Sequence, residues 1–282
     1  MKNYDLTLQK VSKTKYFVNK ELKEEIIENF LFKIYNFIYT NNIHPSEIWN
    51  MDQTSIFYEY PSDYTINFKN SENVQKNFFF NKIFLKNRVQ VYSNEKKRCS
   101  LIIACNIIGE KLKSFAIFSG TLDGRILKEI SKFDDNNIIF RTQKNAWMNS
   151  KLFEEWLNNF WYPYALSTPR TKILILDSYS LHKQFKKEIQ QKNTKVFIIP
   201  PNMTPILQPL DQNVNKEIKN SLKKIWIETQ SEFALLTNEE SKRKKIIFDI
   251  KKAINSITKE IIISSWKKAG IYIQIEGIIN IE

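Results

Sequence analysis

Two apolar runs separated by one helical segment constrain the fold of this chain most strongly. Residues 172–177 read KILILD, and residues 195–201 read KVFIIPP, in which two prolines stop the run. Unbroken apolar runs of this length are typical of strands that are buried on both faces of a sheet. The segment HKQFKKEIQQ between them has the composition of a helix. A strand, a helix and a second strand predict a β-α-β unit.

A short strand and a hairpin precede that unit. EIWNMD, residues 47–52, predicts a strand that ends at Asp52, and residues 100–107 and 113–118 predict a β-hairpin that turns at Gly109. We expect residues 61–98 to form a long loop, with a strand near 88–93. Strand, hairpin, helix, strand, helix, strand and helix together predict an α/β mixed sheet flanked by helices.

Helical segments are expected at both ends and after the hairpin. Residues 18–42 carry apolar side chains four apart, and residues 149–164 begin with Asn149 and Ser150 as capping candidates. A helical tract is predicted from about residue 206 to 230, followed by a lysine-rich helical tail. We therefore expect a helical lead-in at 1–45, an α/β domain at 46–228 and a basic helical C-terminal extension at 229–282.

The composition excludes several classes of site. The chain has five glycines in 282 residues, and no glycine-rich dinucleotide or P-loop motif is present. Neither G-x-S-x-G nor H-E-x-x-H occurs, and two cysteines with two histidines give no zinc pattern. Any catalysis is therefore expected to use carboxylates, with or without a metal ion.

Charge and segment lengths indicate the partner and the compartment. The net charge of +13 predicts an acidic partner, with nucleic acid as the first choice. No apolar run reaches the length of a membrane span, and residues 1–17 have no apolar signal core. Cys99 and Cys105 lie six residues apart on one predicted strand, roughly 20 Å when extended, which is too far for a disulfide. These features predict an intracellular, reducing location.

Three aspartates fall at places that a sheet can bring together. Asp52 and Asp177 each follow a predicted strand, and Asp211 lies at the start of the predicted helical tract. Ligands of α/β sheets bind outside the carboxyl ends of strands. Crowded carboxylates repel one another unless a divalent cation neutralises them, and oxygen ligands suit Mg²⁺ or Mn²⁺. Taken singly, each aspartate also fits a turn or a helix cap, so both interpretations stay open on position alone.

Five sequence blocks resemble, in order, those of pogo-type DDE transposases, the group that includes Tigger and Jerky elements and centromere protein B. The blocks are IWNMDQTSIFYEYP, CSLIIACNIIGEKLKSFAIFSG, NAWMNSKLFEEWL, ILDSYSLHK and IPPNMTPILQPLDQNVNKEIK. They span about residues 5–230, and SSWKKAGIY near the end adds a weaker match. The resemblance implies an RNase H-like fold, a two-metal active site, and DNA cleavage followed by strand transfer.

The resemblance assigns roles to individual residues. Asp52, Asp177 and Asp211 match the three catalytic, metal-binding aspartates, and His182 matches a histidine that commonly follows the second. Asn215 lies one helical turn after Asp211 and is a candidate to support it. The sequence departs from the family where Gln53 and Ser178 stand in place of a frequent glutamate and asparagine, and in a long segment at 66–88.

The family's N-terminal helix-turn-helix region is not recognised, so a truncated or domesticated form is expected. Two functions therefore stay open: a DNA endonuclease and strand transferase that uses Mg²⁺ or Mn²⁺, or a domesticated, catalytically inactive nucleic-acid-binding protein. An RNase H-like nuclease that acts on other nucleic acids is a third. The expected partners are DNA and a second copy, in a homodimer or a synaptic oligomer, and the expected location is the nucleus.

Basic residues are the candidates for contact with phosphates. They form two groups, one on the helix after Asp211 and one near residue 243: Lys216, Lys219, Lys223, Lys224, Lys242, Arg243, Lys244 and Lys245. Lysine contacts with phosphates give affinity without sequence information. The second group also fits a nuclear import signal or a solvated helix face.

Overall fold

A six-stranded sheet with helices on both faces organises the part of the chain that the structure describes. The computed structural model describes residues 20–60 and 97–272. The strands are β1 (Ile48–Phe57), β2 (Arg98–Asn106), β3 (Ser114–Ser119), β4 (Ile138–Gln143), β5 (Lys172–Leu176) and β6 (Thr194–Ile198). The strand expected near 88–93 lies outside the described residues.

The helices fill the connections and the C-terminal third. They are α1 (Lys20–Thr40), α2 (Arg125–Ile130), α3 (Ser150–Trp156), α4 (Tyr162–Leu166), α5 (Ser180–Gln190), α6 (Thr204–Leu207), α7 (Pro209–Gln212), α8 (Val214–Leu235), α9 (Glu239–Asn255) and α10 (Lys259–Lys268). The expected order of strands and helices around the β-α-β unit is therefore confirmed. None of the helices in the described segments is both long and apolar enough to cross a membrane.

The sheet is mixed, as predicted. The strand order is β4-β3-β2-β1-β5-β6. The β1–β2 and β2–β3 pairs are antiparallel, whereas β3–β4, β1–β5 and β5–β6 are parallel. The predicted hairpin is β2 and β3, and its turn contains Gly109 with φ of 91°. A side chain there would be strained, because an added Cβ would lie 2.7 Å from Cγ of Lys259.

Each face of the sheet carries its own apolar cluster. One cluster joins even-numbered residues of β1, such as Ile48 and Ile56, to α1, α8, α9 and α10. The other joins Trp49 and Met51 to the segment 148–165 and to α5. β1 is therefore covered on both sides, and the helices of the basic tail pack against the sheet through residues such as Ile250 and Trp266.

Two expectations about strands are wrong. The run at 195–201 was expected to be buried on both faces, but β6 is an edge strand and its Phe197 and Ile198 are partly exposed. β4 was not predicted, because three apolar residues followed by Arg141, Thr142 and Gln143 give a short and mixed pattern. β4 pairs in parallel with β3, and this pairing accounts for the strand.

The helix expected over 149–164 forms with an irregular centre. Asn149 caps it, since its side chain accepts a hydrogen bond from the Leu152 amide. A π-helical segment, Leu157–Trp161, separates α3 from α4. Cys99 and Cys105 are both free and buried, as expected, and burial raises the pKa of each thiol to about 12.

Candidate active site

Asp52 lies inside a strand rather than at its end. β1 continues to Phe57 because β2 pairs with it antiparallel as far as Arg98, which corrects the prediction that the strand stops at Asp52. The parallel partner β5, however, pairs only with residues 48–50 of β1. The side chain of Asp52 therefore lies just beyond the carboxyl end of β5, although its backbone stays in the sheet.

Asp177 follows β5 directly and is held by its own loop. Its Oδ1 accepts a hydrogen bond from the Tyr179 amide, at 3.0 Å, and from Nδ1 of His182, at 2.6 Å. His182 is buried, and its ring lies 5.2 Å from that of Phe153 and edge-on to Tyr179. The structure thus places His182 against the carboxylate, where it fixes the orientation of Asp177.

Asp211 belongs to a short helix that precedes the long one. α7 spans Pro209–Gln212, and Asn213, with φ of −148°, separates it from α8. The continuous helical tract expected from residue 206 is therefore broken at this point. The break leaves Asp211 exposed beside the start of α8.

Asn215 joins two of the three aspartates. Its Nδ2 donates to Oδ2 of Asp52 at 2.6 Å and to Oδ1 of Asp211 at 2.9 Å. The predicted proximity of Asn215 to Asp211 is present, although it arises across the break rather than along one helix. The contact with Asp52 had no signal in the sequence.

The surroundings of Asp52 and Asp177 shift the pKa values of the two side chains in opposite directions. The pKa of Asp52 is raised well above its usual value, first by burial and then by the negative charge of Asp211, with a smaller contribution from Asp177. Hydrogen bonds from Asn215 and the Gln53 amide oppose this rise in pKa. Burial also acts to raise the pKa of Asp177, but the hydrogen bond and charge of His182 outweigh it and lower that pKa.

The donor chemistry of this cluster fits a hard divalent cation. Asp52, Asp177 and Asp211 offer carboxylate oxygens, the ligands that Mg²⁺ and Mn²⁺ prefer. Burial raises the pKa of Asp52, and the negative charges of Asp211 and Asp177 add to this rise, which a bound cation would oppose. Within residues 20–60 and 97–272, no three His, Cys, Asp or Glu side chains stand in a ready metal-binding arrangement. The carboxylate of Asp177 is hydrogen-bonded to His182.

Sequence reasoning missed two buried polar residues behind the aspartates. Asn50 and Gln208 are both fully buried, with 0% exposure. The available signal was an asparagine within an apolar strand and a glutamine ahead of a proline, each of which requires a buried hydrogen-bond partner. Their contacts reach all three segments that carry the aspartates.

The two predicted basic groups differ in their surroundings. Lys216, Lys219, Lys223 and Lys224 are exposed on α8. In the second group, Lys242, Arg243 and Lys245 pair with Glu239, Glu129 and Asp249 respectively. The Arg243 pair is largely buried, with 14% and 10% side-chain exposure. Lys244 is exposed and pairs with no described carboxylate, so the second group offers fewer free charges than its sequence indicates.

A family profile and several known proteins match this chain in sequence. The sequence profile of the DDE superfamily endonuclease family matches residues 96–266. The chain is 25% identical over 285 residues to the Mus musculus protein "Pogo transposable element with KRAB domain", covering 98% of this chain and 44% of that protein. It is 23% identical over 183 residues to the Homo sapiens "Jerky protein homolog", covering 61% of this chain and 31% of that protein.

Structural similarity to a solved protein identifies the fold of this chain. The Mos1 Strand Transfer Complex gives a TM-score of 0.51 at 14% identity, covering 93% of this chain and 63% of that chain. The expected RNase H-like mixed sheet is therefore confirmed. The chain spans less than half the length of the mouse pogo relative. The family profile begins after β1, so Asp52 lies outside the profile match and inside the match to the pogo relative.

Proposed function

The chain belongs to the DDE superfamily endonucleases, and we propose that it is a transposase-type enzyme that cleaves DNA and transfers strands with bound Mg²⁺ or Mn²⁺. The observation that carries this proposal is the meeting of Asp52 and Asp211 on the amide of Asn215, with Asp177 close enough to raise the pKa of Asp52. Carboxylates are seldom crowded in this way for stability alone, because their mutual repulsion destabilises the fold.

Each side chain has a defined task in this proposal. Asp52, Asp177 and Asp211 would hold the metal ions. Two such ions, when bound, stabilise the attacking and leaving oxygens of a phosphoryl transfer. Asn215 keeps Asp52 and Asp211 adjacent, and His182 keeps Asp177 ionised and oriented. The short α7 leaves Asp211 open to solvent, on the side from which a DNA phosphate could approach.

The exposed lysines of α8 support a DNA substrate. Lys216 and Lys219 follow Asp211 on the same segment, and Lys223 and Lys224 continue the row. Such a row can bind the phosphate backbone beside the reacting bond without selecting a sequence. We include these four residues in the proposed DNA-binding surface.

A catalytically inactive nucleic-acid-binding protein is the second candidate. Two observations favour it: the Asp177 carboxylate is hydrogen-bonded to His182, and the described residues contain no ready metal-binding group of three. In that case the fold and the lysines would serve binding alone. The two candidates differ in whether a divalent ion binds at the aspartates.

The test is a nicking assay with purified protein on supercoiled DNA, with Mg²⁺, Mn²⁺ or EDTA. Asp177→Asn keeps the shape of the side chain and removes its charge. We expect it to abolish metal-dependent nicking while leaving DNA affinity equal or stronger, since one negative charge is lost near the phosphate. Asp123→Asn, at an exposed position in the loop before α2, is the control and should nick like the wild type.

The outcomes separate the candidates. Nicking by the wild type and by Asp123→Asn, with none by Asp177→Asn, supports the enzyme. Equal nicking by all three proteins would locate the activity elsewhere and contradict the assignment. DNA binding without nicking by any of them would support the inactive binding protein.

A further inference from the structure

Asn50 contacts each of the three segments that carry the aspartates. It lies on β1, two residues before Asp52. Its Nδ2 donates to the carbonyl of Ile175 on β5, at 2.9 Å, two residues before Asp177. Its Oδ1 accepts from the amide of Leu210, at 3.0 Å, directly before Asp211. One buried amide therefore joins the backbones that present all three carboxylates.

Gln208 extends this contact. Its Oε1 accepts from Nδ2 of Asn50 at 3.2 Å, and its Nε2 donates to the carbonyl of Met51 at 3.3 Å. On the far side of α7, the Ser265 hydroxyl donates to the carbonyl of Pro209 and accepts from the Val214 amide. The segment that carries Asp211 is therefore fixed at both of its ends by buried polar groups.

Local structure alone would not hold Asp211 in place. α7 has four residues, too few for a helix to be stable by its own hydrogen bonds. Buried polar networks that are fully hydrogen-bonded specify one arrangement, because a displaced partner leaves an unsatisfied group. We propose that Asn50, assisted by Gln208, is the positioning residue that holds Asp211 opposite Asp52 and Asp177.

The consequence of this role rests on the proposed function. If the aspartates bind a divalent ion, displacement of Asp211 weakens that binding without removing any ligand. Residues that orient metal ligands typically change metal affinity by about 10–100-fold when they are replaced. Asn50→Leu should therefore weaken Mn²⁺ binding within this range, while Asp52, Asp177 and Asp211 are all still present.

Asn106 provides a matched control. It is also a fully buried asparagine in the sheet, on β2, and lies opposite Trp49. It donates to the Ser46 carbonyl at 3.0 Å and to the Glu110 carboxylate at 2.7 Å, and it accepts from the Glu110 amide at 2.7 Å. Asn106→Leu removes three side-chain hydrogen bonds, against four for Asn50→Leu, and none of the three reaches β1, β5 or α7.

The first measurement needs no metal. Hydrogen exchange of the Leu210 amide reports the bond to Asn50 directly. We expect Asn50→Leu to accelerate exchange at Leu210 well beyond any general loss of protection, and Asn106→Leu to leave Leu210 unchanged relative to the rest of the sheet. Equal protection of Leu210 in both variants would overturn the proposal.

The second measurement is Mn²⁺ titration of the full chain by calorimetry. Both variants should melt at lower temperature, but only Asn50→Leu should lose Mn²⁺ affinity. Equal losses in both variants would show that Asn50 acts through stability alone. If Asn50→Leu does not fold, Gln208→Met is the second variant. It removes the bond to Asn50 and the bond to the Met51 carbonyl at similar size, and it should give the same pattern in weaker form. Normal Leu210 exchange and Mn²⁺ affinity in Gln208→Met would overturn the proposal.

The two measurements also distinguish a failure of this proposal from a failure of the proposed function. A wild type that binds no Mn²⁺ and nicks no DNA contradicts the enzyme. The exchange of Leu210 would still decide whether Asn50 positions the Asp211 segment.

A second, independent feature is a basic groove at the open edge of the sheet. We define the edge groove by its walls, α1 and α5, and by its floor, β6. It has a volume of 820 Å³. Lys33 lines one wall, Lys186 and Lys187 line the other, and Lys195 lies on the floor. None of these four lysines forms an ion pair with a carboxylate of the described segments.

The floor of the edge groove is apolar, and one end of it adjoins the aspartates. Phe197 and Ile198, which are partly exposed, form its apolar surface beside the lysines, whereas Val196 is buried. Ile198 pairs with Leu176, the residue before Asp177, so the groove lies one strand spacing, about 4.8 Å, from β5. A strand of DNA that places a phosphate at the aspartates can therefore continue into the groove.

Lysines above an apolar floor match a single nucleic-acid strand. Phosphates pair with the lysines, and unpaired bases cover apolar and aromatic side chains such as Phe197. A duplex keeps its bases stacked inside and would leave that floor uncovered. We propose that the edge groove binds the single-stranded flank of a DNA substrate.

The test compares two variants of equal charge. One replaces Lys33, Lys186, Lys187 and Lys195 with alanine. The control replaces four exposed lysines elsewhere with alanine: Lys128, Lys144, Lys267 and Lys268. Binding of a fluorescent ten-nucleotide thymidine oligomer to the full chain is measured at several salt concentrations. Losing four single-strand contacts should reduce the log–log salt slope by about 2.8 in the groove variant, and by less than one in the control.

Equal weakening of oligomer binding in both variants would indicate general attraction to a basic protein and would overturn the proposal for the edge groove. An extended glutamate-rich peptide that binds more tightly than the oligomer and displaces it would show that the groove accepts a peptide strand instead. The oligomer is titrated in EDTA, where no divalent ion is present, so this result does not depend on whether the chain nicks DNA.

Discussion

Asn215 donates a hydrogen bond to Asp52, with 2.6 Å between Nδ2 and Oδ2, although the two residues are 163 positions apart. Asp52 is only 8% exposed, and burial together with Asp211 raises its pKa. A carboxyl with a raised pKa in the folded state contributes stability below its unfolded pKa. That stability is lost as the pH rises through the folded pKa.

Asp52→Asn should therefore stabilise the metal-free protein at neutral pH. The amide removes the charge and can still accept the hydrogen bond from Asn215. We expect the free energy of unfolding at pH 7 to rise by about 1–3 kcal/mol, with a smaller difference near pH 4. Urea denaturation at the two pH values checks this, with Asp123→Asn as a surface control, and unchanged or lower stability at pH 7 would contradict it.

The stability that Asp177 contributes depends on pH in the direction opposite to that of Asp52. The pKa of Asp177 is lowered, so its contribution to stability is present above the unfolded value and is lost as the pH falls through the folded pKa. His182→Phe keeps a ring beside Phe153 and removes the hydrogen bond. We expect it to cost about 1–2 kcal/mol at neutral pH, with the cost shrinking below about pH 4. Denaturation curves across that pH range measure it, and a constant cost would rule out the ionised Asp177 carboxylate as its source.

Arg243 should matter for stability more than for DNA binding. Both its Nε and Nη2 donate to the carboxylate of Glu129, which joins α9 to α2. Breaking such a largely buried pair typically costs about 3–5 kcal/mol. Arg243→Ala should destabilise strongly, whereas Lys244→Ala should change little. A double-mutant cycle with Glu129→Ala gives the coupling energy, and a strong loss of DNA affinity at full stability would restore Arg243 as a DNA contact.

The lysines of α8 should set the salt dependence of duplex binding. Replacing Lys216, Lys219, Lys223 and Lys224 with alanine should reduce the log–log slope by about 3.6 if all four contact phosphates. The four-lysine control defined above should have a much smaller effect. A salt titration on two unrelated duplexes measures both slope and selectivity. Tight, salt-insensitive binding to one duplex would reveal a sequence-reading surface instead.

The nuclear location, the homodimer or synaptic oligomer, and the domain limits at residues 45 and 228 stay predictions. The catalytic roles of the three aspartates are likewise proposals, tested by the nicking assay.

The sequence by itself determined the local elements, because periodicity and capping act over a few residues. The run at 172–176 predicted β5, Asn149 predicted the cap of α3, and Gly109 predicted the hairpin turn. The spacing of Asn215 from Asp211 also predicted that they lie close together, although the contact forms across the break between α7 and α8 and not along one helix. The family blocks added the RNase H-like fold and the catalytic role expected of the three aspartates.

Tertiary structure decided everything that depends on contacts between distant segments. β1 runs past Asp52 because β2 pairs with it, and β6 is an edge strand because no described strand pairs with its outer side. Arg243 is buried because α2 supplies Glu129. The meeting of Asp52 with Asp211, and the role of Asn50 behind them, arise from hydrogen bonds between residues about 160 positions apart. No local pattern encodes such contacts, since the same aspartate or asparagine serves equally well as a turn, a cap or a buried hydrogen-bonding residue until its partner is in place.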